Sequence, residues 1–401
     1  GKKRAWEQLC AALDPECRLP HHLRTSRAKF VAPPGSPPGH LKPVGSREFE
    51  GVWDGEIDVL ASEEMTPHKF WTEYWPRKPF VLRGAAKAHK AFKLWKRDGY
   101  ITKKYGHLKV KVEKKNEDRL TDYCGMKKFG GVVECGANVE PYTETYINIS
   151  RFMKNYRSTA FNHYVITQMP SGMAGDVEVV PAWNCGGRPA KERKHRPELR
   201  GRPWLTQLYE ANLWINHNEG LNFSSSVIHY DMNHQMMCVY DGEKEWITWD
   251  TWNEVDRIPM WSGYFDQRTG KAPEGSDDSP VDPERVDLER FPRFAAARWR
   301  NATMRPGDCM YLPAHLLHYV RSWGRNVAGM YMFQTGERYD PAHCGEAPKG
   351  GTPLSEYDLL WDFPGEEGRA GYNRVKMGYP DWKRQIRKKL AGAARGGEVA
   401  L

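Results

Sequence analysis

A mainly β domain with flanking helices is what the sequence predicts, on three observations. Short segments of strand character crowd its second half: Asn212–Asn216, Met236–Tyr240, Glu243–Trp249, Cys309–Leu312 and Val327–Phe333. Turn signals such as Asp241-Gly242 and Pro306-Gly307-Asp308 punctuate them. Helical spacing is confined to the flanks, and 401 residues with 16 Trp and 19 Tyr are ample for one large core.

Residues 1–45 are basic and Pro-rich and read as an N-terminal arm or linker. Within them Trp6–Leu13 has the spacing of a short helix. The domain proper is expected over 46–335. Glu48–Leu60 leads in, and Thr66–Trp75 opens on Thr-Pro with aromatics at helical spacing, so it predicts a helix. Pro79–Gly84 predicts a strand ended by Gly, Ala91–Arg97 a helix, and Lys109–Val112 an alternating strand. Tyr146–Tyr156 predicts a helix and His163–Thr167 a strand. Met173–Arg202 is loop-like and strongly basic from Arg188, and Trp204–Tyr209 predicts a helix before the Asn212–Asn216 strand. Asp241-Gly242 predicts a hairpin, with Met236–Tyr240 and Glu243–Trp249 as its arms. A polar loop follows at Gly263–Asp282, then a mixed segment with a helix at Val286–Trp299. His318-Tyr319-Val320 begins a strand, Arg321–Asn326 turns, and Val327–Phe333 is the last strand. Residues 336–401 read as a helical extension, with helices at Tyr357–Phe363 and Asp381–Ala394.

The chemistry concentrates in two of these segments. In Ser226-Val227-Ile228-His229-Tyr230-Asp231 a histidine and a carboxylate stand two residues apart. In an extended chain residues i and i+2 share a side, so His229 and Asp231 can face one metal while Tyr230 faces away. A second histidine comes from Pro313-Ala314-His315-Leu316-Leu317-His318. His318 is the better candidate because it begins a strand, whereas His315 lies in the connection after Pro313. Two histidines and one carboxylate on a face, with positions left open, form the ligand set of non-haem Fe(II) oxygenases. Lys244 opens the strand after Asp241-Gly242. Alone it would be solvated; beside a metal it could pair with the far carboxylate of a 2-oxo acid.

These motifs resemble the JmjC family in its cupin-like hydroxylase branch, the branch of the asparaginyl hydroxylase acting on hypoxia-inducible factor. The matching text is Ser226–Asp231, Gly242-Glu243-Lys244, Leu288–Pro292, Pro306-Gly307-Asp308, Tyr311-Leu312-Pro313 and His318, within a span from about Phe70 to Gln334. The resemblance implies a double-stranded β-helix, the jelly-roll barrel of the cupins. It implies Fe(II) on His229, Asp231 and His318, with 2-oxoglutarate and O2 as co-substrates and no acid or base residue. Lys244 would bind the C5 carboxylate of 2-oxoglutarate, helped by Ser226 and by the phenol of Tyr164, and Gln235 stands where the branch has an amide near the co-substrate. Met330 departs from the branch, which has a polar amide there. C-terminal helices that pair two copies into a homodimer are also implied.

The reaction expected is hydroxylation of a protein side chain, with succinate and CO2 released. Methyl-lysine demethylation uses the same chemistry, but no reader module is evident. With 60 Lys+Arg against 51 Asp+Glu, the net charge of +9 admits an acidic protein or a nucleic acid as partner, so nucleic-acid hydroxylation stays open. An inactive cupin-like binding protein would show a broken ligand set, and here the set is intact. No apolar run reaches membrane-spanning length. The eight cysteines form no C-x-x-C pair and read as free thiols, which favours cytoplasm or nucleus over a secretory lumen. Glycan-acceptor triplets at Asn148, Asn222 and Asn301 keep the lumen open.

Overall fold

A computed structural model describes residues 32–356, except 47, 50, 115–126, 129–130, 133–143, 159–160, 162, 182–206, 220–222, 232, 255, 261–278 and 335–350. The expected Trp6–Leu13 helix, the basic stretch 188–202, most of the 263–282 loop and both C-terminal helices lie outside the described residues.

Twelve strands make one sheet system: β1 Val52–Glu56, β2 Asp58–Ala61, β3 Phe80–Arg83, β4 Lys109–Lys114, β5 Glu144–Asn148, β6 His163–Gln168, β7 Gln207–His217, β8 Phe223–Ser225, β9 His234–Trp249, β10 Arg298–Met304, β11 Cys309–Leu312 and β12 Leu317–Gln334. The order is β2-β3-β11-β9-β12-β7-β6-β4-β5, with β10 bridging β9 to β1 and β8 beside β12. The whole is the cupin-like jelly roll that the motifs implied.

Two long strands organise it. β9 and β12 pair antiparallel from His234↔Phe333 to Trp249↔Leu317. The expected hairpin at Asp241-Gly242 is therefore absent: the chain runs through these residues as a bulge, with register shifts between Val239 and Glu243. The turn expected at Arg321–Asn326 is likewise continuous strand, with Gly324 at φ 68°. An Asp-Gly pair suits a tight reversal, but here long-range pairing with β12 on both sides of it wins. Gly242 has φ 74°, and a Cβ there would lie 2.3 Å from the Arg325 carbonyl oxygen, so only glycine fits the bend. At the bulge β9 also changes its other neighbour, from β11 along Gln235–Cys238 to β10 along Lys244–Trp249.

Both faces of the long strands are buried, so their sequences read as near-continuous apolar runs. Met236, Tyr240, Val327, Tyr331 and Phe333 pack under Phe70, Trp95, Ile101 and Phe152 on the helix-covered face. Met237, Val239, Trp246, Met304, Ala328, Met330 and Met332 fill the barrel interior. Ile247, Trp249, Leu317 and Tyr319 pack against Val286, Leu288 and Phe294. Arg321, fully buried beside that last layer, donates to Glu284 and Glu245 and to the Val44 carbonyl.

The Thr66–Trp75 expectation appears as an α-helical turn, Pro67–Lys69, continuing into a π-helical turn, Phe70–Tyr74. Thr66 caps it, its hydroxyl accepting from the Lys69 N–H at 3.1 Å. Lys90–Leu94 and Ile149–Asn155 are helical, but Tyr146–Asn148 belong to β5. Over Gln207–Tyr209, where a helix was expected, the chain is already strand, drawn into pairing with β12. The end of the N-terminal arm lies on the domain: Leu41 and Val44 N–H groups donate to the Val286 and Pro283 carbonyls, and the ring of buried His40 accepts from Leu288 N–H.

One cysteine expectation is corrected. Cys238 and Cys309 stand directly opposite on β9 and β11, their Cα atoms 4.0 Å apart, and form a disulfide. A sequence separation of 71 hid the pairing. The six other cysteines lie outside the described residues. Among the described residues no helix is long and apolar enough to cross a membrane.

Candidate metal centre

His229 and His318 are joined before any metal is considered. They form a bridge with reciprocal backbone hydrogen bonds, His229 N–H to His318 O at 3.0 Å and His318 N–H to His229 O at 2.7 Å. Asp231 is fixed two residues on, its carbonyl accepting from the His315 N–H at 2.7 Å. The Nδ1 atoms of His229 and His318 lie 2.9 and 2.8 Å from the carbonyls of Val227 and Leu316. That contact makes Nδ1 the protonated nitrogen and leaves each Nε2 bare for a metal. One ligand atom from each of His229, Asp231 and His318 falls within 4.8 Å of the others. The donor set and the spacing suit a divalent ion bound on one face.

Electrostatics favour the metal-ready protonation states. Burial, then the neighbouring His229, hold His318 below the ordinary histidine range, with Asp231 acting the other way. A neutral imidazole is the form that binds metal. Asp231 accepts from the Gln235 amide at 2.6 Å, which orients the carboxylate. His315 stays outside the cluster. It adopts φ 66°, and its carbonyl accepts from the Thr251 hydroxyl.

The interior face carries further polar groups. Lys244, Trp246 and Thr248 stand opposite Ser322, Val320 and His318, and the Trp246 ring lies 5.3 Å from that of His318. So Lys244 and His318 share the interior side. Lys244 is 2 % exposed, and its ammonium donates to Ser322 Oγ at 2.9 Å. Burial alone pulls it down to about 7. Ser226 Oγ accepts from Val320 N–H at 3.0 Å, which leaves its own proton to donate. Met330 lies in the interior between Asn212 and Met237. Tyr164 is half-buried on β6, opposite Glu113 of β4 and one residue before Val165, which pairs with Ile215.

Asn216 was not anticipated. It is fully buried on β7 opposite Asn326, and neither of its amide atoms has a hydrogen-bond partner among the described residues. A buried amide with no partner marks a place where a polar ligand can be received. Alternation offered a signal. In Asn212-Leu213-Trp214-Ile215-Asn216 the apolar Leu213 and Ile215 pack to the helix-covered face, so the two asparagines and Trp214 turn inward.

A family model described as a cupin-like domain matches residues 67–339. The chain belongs to the cupin-like domain family. Among curated proteins this cupin-like chain is similar to Jumonji C domain-containing protein 5 of Drosophila melanogaster, 29% identical over 97 residues, 24% of this chain and 22% of that protein. It is similar to the bifunctional peptidase and (3S)-lysyl hydroxylase JMJD7 of Homo sapiens, 25% over 153 residues, 34% of this chain and 47% of that one. It is also similar to the lysine-specific demethylase JMJ31 of Arabidopsis thaliana, 28% over 130 residues, 32% of this chain and 21% of that one. The matches cover less than half of each relative's length.

Proposed function

We propose that this cupin-like protein is an Fe(II)- and 2-oxoglutarate-dependent oxygenase that hydroxylates a protein side chain. The observation that carries the reading is the conjunction of the His229–Asp231–His318 cluster with a buried ammonium, Lys244, on the same interior face. His229 and His318 would hold the iron through Nε2 and Asp231 through its carboxylate. Lys244 would take the distal carboxylate of 2-oxoglutarate, with Ser226, Tyr164 and the unpaired Asn216 amide as further hydrogen-bond partners. When bound, iron and 2-oxoglutarate would supply oxidation of a C–H bond by O2, with succinate and CO2 released.

The residues of the chain bind, orient and exclude water. Gln235 keeps the Asp231 carboxylate aimed. Met237, Met330, Met332 and Trp246 wall the interior with apolar surface, which strengthens the Lys244–carboxylate contact and shields the reacting atoms. Two relatives act on lysine by name, one as a hydroxylase and one as a demethylase, and this supports a protein substrate for this chain too.

Thermal melting tests the reading. Mn(II) with 2-oxoglutarate is expected to raise the melting temperature by mass action, and Lys244→Ala and His318→Ala are expected to lose that shift. His229→Ala and Asp231→Ala should abolish turnover while leaving the metal-free melt near that of the native chain. No shift in the native chain, or full activity in both ligand variants, would overturn the assignment.

A further inference from the structure

Trp53 of β1 is 49% exposed, with Val52 beside it and Val59 of β2 also open to solvent. Its indole makes one specific contact: Nε1–H donates to Asn301 Oδ1 of β10 at 3.1 Å. Asn301 opens the glycan-acceptor triplet Asn301-Ala302-Thr303. An indole N–H can only donate, so the amide oxygen faces the ring and Nδ2 points elsewhere. Asn301 is partly exposed, and its Nδ2 is neither buried nor hydrogen-bonded among the described residues.

Strand alternation keeps this amide clear of the metal centre. Asn301 stands opposite Ile247, which packs in the outer layer with Val286 and Leu288. Ala302 and Met304, on the other side of β10, line the interior. A group added to Nδ2 leaves from the outside of the barrel.

The surroundings suit a sugar. A singly substituted amide is trans, so the carbon joined to Nδ2 lies opposite Cβ and on the side of Oδ1. That is the side on which the Trp53 indole sits. Substitution removes one of the two Nδ2 protons and leaves Oδ1 an acceptor, so the Trp53 hydrogen bond persists. A pyranose carries C–H groups on its face and hydroxyls at its rim. Laid on the indole, it takes apolar surface out of water while its hydroxyls stay hydrated.

The cysteine pair points to the matching compartment. The Cys238–Cys309 disulfide is buried between β9 and β11. Disulfides persist in oxidising compartments, the secretory lumen among them, and asparagine-linked glycans belong to the surfaces of secreted chains. Of the other two acceptor triplets, Asn148 is exposed and Asn222 lies outside the described residues.

We propose that Asn301 carries an asparagine-linked glycan whose first sugar packs on the Trp53 ring, and that the chain matures in a secretory lumen. In the transfer, the C1–O bond between an oligosaccharide and its polyprenyl diphosphate carrier breaks and the Nδ2–C1 bond forms. The displaced amide proton goes to the diphosphate. This modification is independent of the oxygenase reading.

The first test takes the full chain from the cells that make it. Treatment with a peptide N-glycosidase in heavy-oxygen water converts each glycan-bearing asparagine into a labelled aspartate, which mass spectrometry locates. Asn301 should be labelled. An unlabelled Asn301 overturns the proposal, whatever the state of Asn148 and Asn222. The second test makes the full chain behind a secretory leader and trims its glycans to the first sugar. Thr303→Val removes the acceptor hydroxyl but keeps Asn301 and its bond to Trp53. The native chain should melt about 1–2 °C above Thr303→Val. The same pair made without a leader, and so without sugar, supplies the effect of the valine itself. In a Trp53→Ala background the sugar-dependent difference should vanish. A difference of the same size in that background overturns the packing on Trp53.

Discussion

Binding of 2-oxoglutarate should take up a proton at Lys244. In the ligand-free protein burial holds this ammonium at about 7, against an ordinary 10.5. Near pH 7 about half of the molecules therefore present a neutral amine. A bound carboxylate favours the charged form and lifts the value back towards the ordinary range. Below pH 7 the ammonium already exists, and affinity is flat. Above it, each binding event must import a proton, and affinity falls by up to about tenfold per pH unit. Between pH 6 and pH 8 the loss is about tenfold. Calorimetry at saturating Mn(II), in two buffers of different ionisation heat, measures both affinity and protons: uptake should be near half a proton at pH 7 and close to one at pH 8. Lys244→Met should bind more weakly and show neither trend. Without ligand the stability linkage has the opposite sense. Between pH 7 and 10.5 the unfolded chain holds more protons at this residue, so its contribution to stability rises with pH in that window. Affinity that stays level from pH 6 to 8, or native affinity in Lys244→Met, would refute the assignment of Lys244 as the carboxylate partner.

Two further perturbations separate binding residues from structural ones. Asn216→Val removes an unpaired buried amide, so the ligand-free protein should gain about 1 kcal/mol. Its affinity for 2-oxoglutarate should fall by about tenfold; a destabilised variant with unchanged affinity would make Asn216 a packing residue. Arg321→Met strands Glu284 and Glu245 without their shared cation and should cost about 3–5 kcal/mol in urea unfolding, and a cost under about 1 kcal/mol would contradict the pairing.

The clustering of the proposed metal ligands was legible because it depends on local geometry. An extended chain puts residues two apart on one side, and His229 and Asp231 obey that rule whatever surrounds them. His318 was separable from His315 on the same ground. What was not legible depends on which strand pairs with which. Asp241-Gly242 has the chemistry of a hairpin, and local residues give no sign that β12 lies alongside both of its flanks. Gln207–Tyr209 were drawn into strand by the same partner. Cys238 and Cys309 meet only because β9 and β11 are neighbours. Asn216 becomes a candidate only once interior and exterior are known, since in sequence it is one polar residue among apolar ones.

The bulges decide what the barrel can bind. Before Asp241 the inward positions of β9 are Gln235, Met237 and Val239; after Gly242 they are Lys244, Trp246 and Thr248. The parity changes from odd to even, while β12 keeps His318, Val320, Ser322, Ala328, Met330 and Met332 inward throughout. An unbulged β9 would direct Gln235 inward and Lys244 outward, or the reverse, and could not bring the amide that holds Asp231 and the Lys244 ammonium to one side together. The register shift between Leu208 and Glu210 changes the parity of β7 in the same way. On β9 the irregularity turns Lys244 to the interior side that Gln235 holds before it. The polar character of the interior is therefore a property of strand register as much as of composition.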